Sequence, residues 1–483
     1  MNILVFSPTL SHPQNEGNCK RIFTLTKYLQ TLGHTIHFVY FTQSGLSRKS
    51  FELMLNEWDT LTIIDKTTTF DLSTTGYELD AWYQDDISPI VNEVVETFDI
   101  EVVLVNYIMQ SKLLEYLPKN ILKIIDTHDT FADRYLMYQE NNAPAYTWYS
   151  VSKEDEIRAL NRADIILAIQ KEEADYFSTV TDVPVKVINH LESKHFTDRP
   201  YTSLQKIGFV GSGNEINNHS IHKFLEAYLD HSISSSDIQI IIAGAICNRI
   251  TIKHPNIVLR GIVDDLEDFY SEIDLIINPL TFGTGLKIKS VEALSYGVPI
   301  ISTKVGFEGI KSKHICHQID TLEEMVEYID SIHRSPAKLL ELEKLSKTIF
   351  DTYETKVKRK IEKLFKTKTL YKVLVEDDIH PSLKKKESII YQQHKQMQMD
   401  AFNQKEYEKK STQQAQQTIE NIKTKDKTIQ DLQEELKRTK NSLHTISSKI
   451  QQLVTTSGKT EPIKKYKAYK EMLKTYYKIK KQK

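Results

Sequence analysis

Few features of the 483 residues point to a metal, a disulfide framework or a membrane span. Cysteine occurs only at Cys19, Cys247 and Cys316, far apart and without CxxC or mixed Cys/His ligand spacing, so neither a disulfide scaffold nor a zinc site is indicated and a reducing cytoplasm fits. No stretch approaches the ~20 apolar residues of a membrane-spanning helix. The opening MNILVFSPTL has no basic lead or cleavage signature and runs straight into a turn, so it reads as a first strand rather than a signal peptide. The net charge of -2 says little about partners. The expectation is a soluble cytoplasmic protein, with attachment to a membrane surface as a further option.

What is present is a hydrophobic fraction of 40%, enough for sizeable cores. Short apolar runs alternate with helical patterns: ILVFSP, TIHFVYF, LTIID, VVLVNY, KIIDTH, DIILAI and VKVIN, then KIGFVGS, IQIIIAG, NIVLRG, DLIINPL and PIIST. Runs of this length with helices between them suit strands buried on both faces of a parallel sheet. The expected class is α/β, with two Rossmann-like doubly wound domains facing a cleft and a helical extension behind them. The boundaries read as a first domain at 1–190, a linker at 191–205 and a second domain at 206–368. A linker at 369–384, a coiled coil at 385–456 and a basic aromatic tail at 457–483 follow. A helical pattern from Ser335 to Lys368 closes the second domain.

Beyond Lys384 glycine and proline nearly vanish. Ile422, Ile429, Leu436, Leu443 and Ile450 recur every seventh residue, with Leu432, Ile446 and Leu453 on the companion positions and Lys425 and Thr439 interrupting them. This is the seam of a coiled coil and predicts a homo-oligomer, a dimer first; a solitary frayed helix is the alternative. In the tail, residues 464–483 interleave lysines with Tyr466, Tyr469, Tyr476 and Tyr477. That pattern suits an anionic membrane surface or a simple solvated tail, and gives no recognition fold for nucleic acid.

The segment NPLTFGTGLKIKSVE, Asn278 to Glu292, carries the clearest chemistry. Gly283 and Gly285 fall between a strand and a helix, where backbone can approach a diphosphate and the helix dipole favours its charge. Lys287 and Lys289 oppose that dipole, a placement that makes sense if an anion binds. Glu292, one turn on, can accept hydrogen bonds from two ribose hydroxyls.

With Gly297-Val298-Pro299 behind it, this string resembles family 4 of the GT-B glycosyltransferases, and the resemblance extends over roughly residues 1 to 365. It implies a nucleotide diphosphate sugar as donor, held by Gly283, Gly285, Lys287, Lys289 and Glu292. Ile207 to Gly211 looks like the strand opening the family's donor domain, with Gly211 at its end, and the backbone near Gly261, Ile262 and Val263 would meet the base. By the same resemblance Gly17 lies at the diphosphate-facing turn with Arg21 on the helix behind it. DTHDTFADR brings His128 into the cleft as the main catalytic candidate, supported by Asp129 and by Arg134 on the acceptor side. His128 and Asp129 can also be read as caps of the next helix.

Two departures stand out: Thr284 replaces the first of the family's paired glutamates, and GSGNEINNH lacks its usual phosphate-binding arginine and lysine. Lys287 and Lys289 would supply that charge. No metal is required, since helix amides and lysines can neutralise a leaving diphosphate. Asp85-Asp86 and Asp264-Asp265 read as solvated or capping acids, and His12, His190 and His219 as structural. The expected function is retaining transfer of a hexose to a hydroxyl of a glycan or lipid-linked acceptor. A GT-B epimerase and a scaffold with a vestigial transferase are the alternatives.

Overall fold

The computed structural model describes residues 1–43, 45–66, 78–141, 149–231, 237–263, 266–366 and 381–455, with Glu471 and Lys474. Strands form where Ile, Val, Leu and Phe run together, because a parallel sheet covered on both faces leaves no side for polar alternation. The first sheet holds β1 (Asn2–Ser7), β2 (Thr35–Phe41), β3 (Thr60–Ile64), β4 (Val102–Asn106), β5 (Leu122–Asp126), β6 (Ile165–Ala168) and β7 (Val185–Val187). Their spatial order is β3-β2-β1-β4-β5-β6-β7, all pairs parallel. The second sheet holds β8 (Lys206–Val210), β9 (Gln239–Ala243), β10 (Ile257–Gly261), β11 (Leu275–Asn278) and β12 (Ile300–Ser302), ordered β10-β9-β8-β11-β12 and again parallel.

In each sheet the order reverses at one place, β1 beside β4 and β8 beside β11. Such a switch leaves a crevice outside the strand carboxyl ends, because the neighbouring crossover helices lie on opposite faces. The segments following β1, β4, β5 and β11 therefore converge on common ground. Ile3 to Phe6, fully buried, centre the first core, and Ile207, Phe209, Ile240 and Ile242 the second. Each such side chain contributes about 1.5–3 kcal/mol on burial.

The helix Pro336–Lys366 does more than the sequence pattern foretells. Leu339 and Leu342 pack into the second core. Further on, Tyr353 Oη donates to the His190 carbonyl at 2.7 Å and Lys360 Nζ to Asn189 Oδ1 at 2.8 Å. Near its end Glu362 Oε1 accepts from Tyr28 Oη at 2.8 Å, and Phe365 meets the His34 ring. The helix thus packs on the second half and, further along, also contacts the first. Periodicity shows an apolar face but not which body covers each part of it.

Met1–Gln398 forms one compact unit and another begins at Met399. The helix Pro381–Thr455 is 75 residues long. Within the first unit, its His394 ring bonds the Leu61 carbonyl at 2.9 Å. Within the second, Ile422, Ile429, Leu432, Leu436 and Leu443 are exposed along the helix. The side chains of Ile450 and Leu453, the acids Asp264-Asp265 and, apart from Glu471 and Lys474, the basic tail lie outside the described residues. No described helix is long and apolar enough to cross a membrane.

The ends of β8 and β9 interlock through glycine. Gly244 has φ +97°, and a β-carbon there would fall 2.3 Å from the Gly211 carbonyl oxygen. Gly211 returns its amide to the Ala243 carbonyl at 3.0 Å. Gly244→Ala is therefore expected to lower stability by about 2–3 kcal/mol, read from the denaturant midpoint; an unchanged midpoint would contradict the strain argument.

Candidate functional site

Two helix starts meet across the crevice. The helix Gly17–Thr31 follows the loop after β1, and the helix Ile288–Ser295 follows the glycine loop after β11. A β-carbon on Gly17 would lie 3.2 Å from Ile288 Cδ1, so the two N-termini abut. Each is the positive end of a row of aligned peptide dipoles, equivalent to about half a charge. Neither helix has an acid within its first turn, and the only acid next to either start is the exposed Glu16 at the N-cap of the first.

The glycine loop is shaped by its own lysine. Lys287, buried, donates Nζ to the carbonyls of Gly283 (3.1 Å), Thr284 (2.8 Å) and Gly285 (2.7 Å). Positive φ at Gly283 and Gly285, +119° and +79°, permits this turn, which is strained for other residue types. In a planar trans peptide the carbonyl and amide point opposite ways, so the amides of Thr284, Gly285 and Leu286 face away from the ammonium. None of these amides donates to a described residue. Lys287 was expected to hold phosphate directly; its three donors are instead taken by the loop, with Glu308 Oε2 a further 3.6 Å contact. Burial lowers its pKa.

Lys289 lies 4.7 Å over the Phe209 ring and bonds Asn217 Oδ1. Desolvation, reinforced by the charge of Lys287, pulls its pKa down to about 7. Glu292 is buried, and both its oxygens are engaged: Oε1 accepts from Tyr270 Oη at 2.7 Å, and Oε2 pairs with Lys20 of the opposite half. Gly211 directly follows β8, while Ile262, 65% exposed, and half-buried Val263 follow the end of β10. Thr284 is exposed and brings no carboxylate.

From the first half, β5 delivers a polar cluster. The Asp126 carboxylate takes Arg21 Nε at 2.9 Å and Nη2 at 2.5 Å, and Nη2 also reaches the Ile188 carbonyl at 3.0 Å. Arg21 is 1% exposed, so it is unavailable to a phosphate in this arrangement, contrary to its expected donor role. It braces β5 instead. His128, at φ +63°, stacks on Tyr107 with ring centroids 4.1 Å apart. Its Nε2 lies 2.8 Å from Asn106 Oδ1 and 3.4 Å from Asp126 Oδ2. Asn106 Nδ2 donates to the Phe6 carbonyl at 3.1 Å, so its Oδ1 must accept and His128 carries its proton on Nε2. Nδ1 is then the basic nitrogen. Burial lowers the His128 pKa to about 4, keeping the ring neutral near pH 7.

Asp129 pairs with Arg134 at 3.1 Å and takes the Thr130 amide at 2.9 Å. The next helix, Arg134–Glu140, is preceded by Asp133, so neither His128 nor Asp129 caps it. A β-carbon on Gly285 would sit 3.3 Å from Asp129 Oδ1, which places this acid against the glycine loop. Buried Glu173 stands near Asp129, Arg21 and Lys287, and desolvation raises its pKa well above the carboxylate range. His12 bonds Ser11, His190 lies beside Glu192 and His219 edges Phe282, as befits structural rings. Among the described residues no group of three or more His, Cys, Asp or Glu is placed to hold a metal ion.

Lys20, Tyr270, Asn106, Asp126 and Glu173 were missed by sequence reasoning. Lys20 carried a usable signal, because it is a first-turn lysine one turn after Gly17, the same anomaly noted for Lys287 and Lys289. Asn106 and Tyr270 carried none, since their partners come from distant strands and helices. The Arg21–Asp126 pair yields a direct expectation. Arg21→Met or Asp126→Asn alone is expected to cost about 3–5 kcal/mol of stability by stranding a buried partner. The double change should cost less than the sum of the two in a denaturation cycle; full additivity would show that the pair does not brace the site.

Comparison with curated proteins by sequence finds no match. Residues 205–334 match the family described as Glycosyl transferases group 1. Among solved structures the chain is similar to TarM, with TM-score 0.56 and 10% identity over 76% of this chain and 99% of that one. Sucrose-phosphate synthase from Thermosynechococcus elongatus gives 0.55 and 11% over 76% and 98%. HepE of Anabaena in complex with UDP gives 0.54 and 12% over 76% and 100%. Residues 205–334 thus match the group 1 glycosyl transferases, and the chain shares the fold of these solved structures.

Proposed function

We propose that the protein is a retaining transferase that moves a hexose-type sugar from a nucleotide diphosphate sugar to a hydroxyl acceptor. The observation that carries this reading is the meeting of two helix N-termini at Gly17 and Ile288 beside loop amides that have no acceptor among the described residues. An anion there relieves the mutual repulsion of the dipoles, each worth about 0.3–1 kcal/mol and up to ~2 when partly buried. The leaving diphosphate is such an anion, and its charge grows as the bond to the sugar breaks. Glu292 takes the ribose hydroxyls and the backbone from Gly261 to Val263 takes the base. His128, neutral with Nδ1 as its acceptor, faces the sugar or the incoming hydroxyl, and Asp129 and Arg134 line the acceptor side. HepE of Anabaena is seen with UDP and with UDP-glucose, which supports uridine as the first base to try.

The acceptor is a glycan or a lipid-linked glycan precursor, and the transfer needs no cofactor beyond the donor. The first domain spans 1–190 and the donor domain 206–368, joined at 191–205. The open apolar stripe of the long helix pairs with a second copy, and the basic tail holds the protein at a membrane.

A thermal-shift panel of nucleoside diphosphates and their sugars tests the donor reading, since a ligand of the native state raises its apparent stability. One base is expected to stand out, and a flat panel would overturn the assignment. Glu292→Ala is then expected to lower kcat/KM by roughly 100-fold, the loss of about 3 kcal/mol of hydrogen bonding to a charged group, in protein that still melts cooperatively though at a lower temperature because Lys20 loses its partner; wild-type turnover would remove the ribose role. Truncation after residue 380 should convert an oligomer to a monomer in analytical ultracentrifugation, and an oligomer that survived it would rule out pairing by the helix.

A further inference from the structure

We propose that Lys20 is a donor-binding residue that releases Glu292 to the ribose and takes the diphosphate in exchange. This rests on the donor reading above and extends it to a residue outside the glycine loop. Lys20 lies in the first turn of Gly17–Thr31, where a cation opposes the helix dipole, and its ion pair is not with the exposed N-cap Glu16. Its ion pair is with Glu292 from the opposite half, and the two side chains are only 14% and 6% exposed.

The other cations around the crevice are committed within their own halves. Lys287 is held by three loop carbonyls, Lys289 by Asn217, Arg21 by Asp126 and Ile188, and Arg134 by Asp129. Moving any of them to a phosphate would break local structure. Lys20 differs because its partner is the carboxylate that the ribose needs. A ribose diol offers two hydroxyl donors, whereas Glu292 has Oε1 taken by Tyr270 and Oε2 by Lys20. Tyr270 belongs to the same half as Glu292, so it can stay while Lys20 leaves.

Displacing Lys20 alone would strand a poorly solvated ammonium. A diphosphate joined to the same ribose, seated between the helix starts one turn from Lys20, supplies a new partner in the same event. Ribose and diphosphate recognition are thereby coupled: a nucleoside must break the ion pair without compensation, and a nucleoside diphosphate replaces it.

Calorimetric titration of the full chain with uridine and UDP, or the nucleoside pair of whichever base the panel selects, tests the exchange. Lys20→Met is expected to weaken UDP binding by about tenfold or more, the scale of a hydrogen bond to a charged group, and to tighten uridine binding, because Glu292 Oε2 is already free. Lys20→Arg should keep UDP affinity within about threefold. Glu292→Gln, a second variant that removes the competing charge, should weaken uridine while preserving the added affinity of the diphosphate. A merely structural Lys20 would shift uridine and UDP in the same direction in Lys20→Met, and that result overturns the proposal. Wild-type protein that binds no nucleoside diphosphate instead overturns the donor reading itself.

Discussion

The meeting of two positive helix ends at Gly17 and Ile288 is the constraint around which the rest of the site is arranged. Aligned peptide dipoles repel when their N-termini face one another, and first-turn lysines add to the repulsion. Core packing under both sheets holds the helices there regardless. The energetic conflict is answered by protein groups: Lys20 turns to Glu292, Lys287 to the carbonyls of its own loop and Lys289 to Asn217. The site is thus internally satisfied, yet its loop amides find no described acceptor. That combination distinguishes groups that shape the site from groups that a ligand can claim.

The first half answers with a rigid polar wall. Arg21 and Asp126 neutralise each other in a dry environment, and their geometry fixes the end of β5, from which His128 projects. Asn106, tethered to the Phe6 carbonyl, decides which nitrogen of His128 carries the proton. A chain of long-range hydrogen bonds thereby sets the chemistry of a histidine that the sequence presents only as one residue in DTHDT. Burial keeps the ring neutral, so it serves as a hydrogen-bonding group rather than a second cation.

Much of the architecture was readable in the linear pattern. The twelve strands among the described residues coincide with the apolar runs of the sequence to within one residue at their starts, because burial on both sheet faces demands uninterrupted aliphatic residues. Gly283 and Gly285 were legible as a loop between a strand and a helix, and the structure adds their positive φ. The helix Pro336–Lys366 was legible as a helix but not in its course, since its periodicity does not reveal that Glu362 meets Tyr28. Arg21 and Lys287 show the same limit: a cation beside an anion-binding motif has the right charge for the ligand, and only neighbours in space decide whether that charge is already taken.

The sequence by itself determined the α/β class, the two sheets, the glycine loop and the long terminal helix, because each depends on local periodicity and backbone permission. Only the tertiary structure decided which lysine can be exchanged, which oxygen of Glu292 is free to change partner and which nitrogen of His128 is basic. Those properties belong to contacts between residues such as Lys20 and Glu292, or Asn106 and His128, whose pairing is set by how the sheets fold and meet. Chain spacing carries no record of such pairings, and the electrostatics of the crevice are written in them.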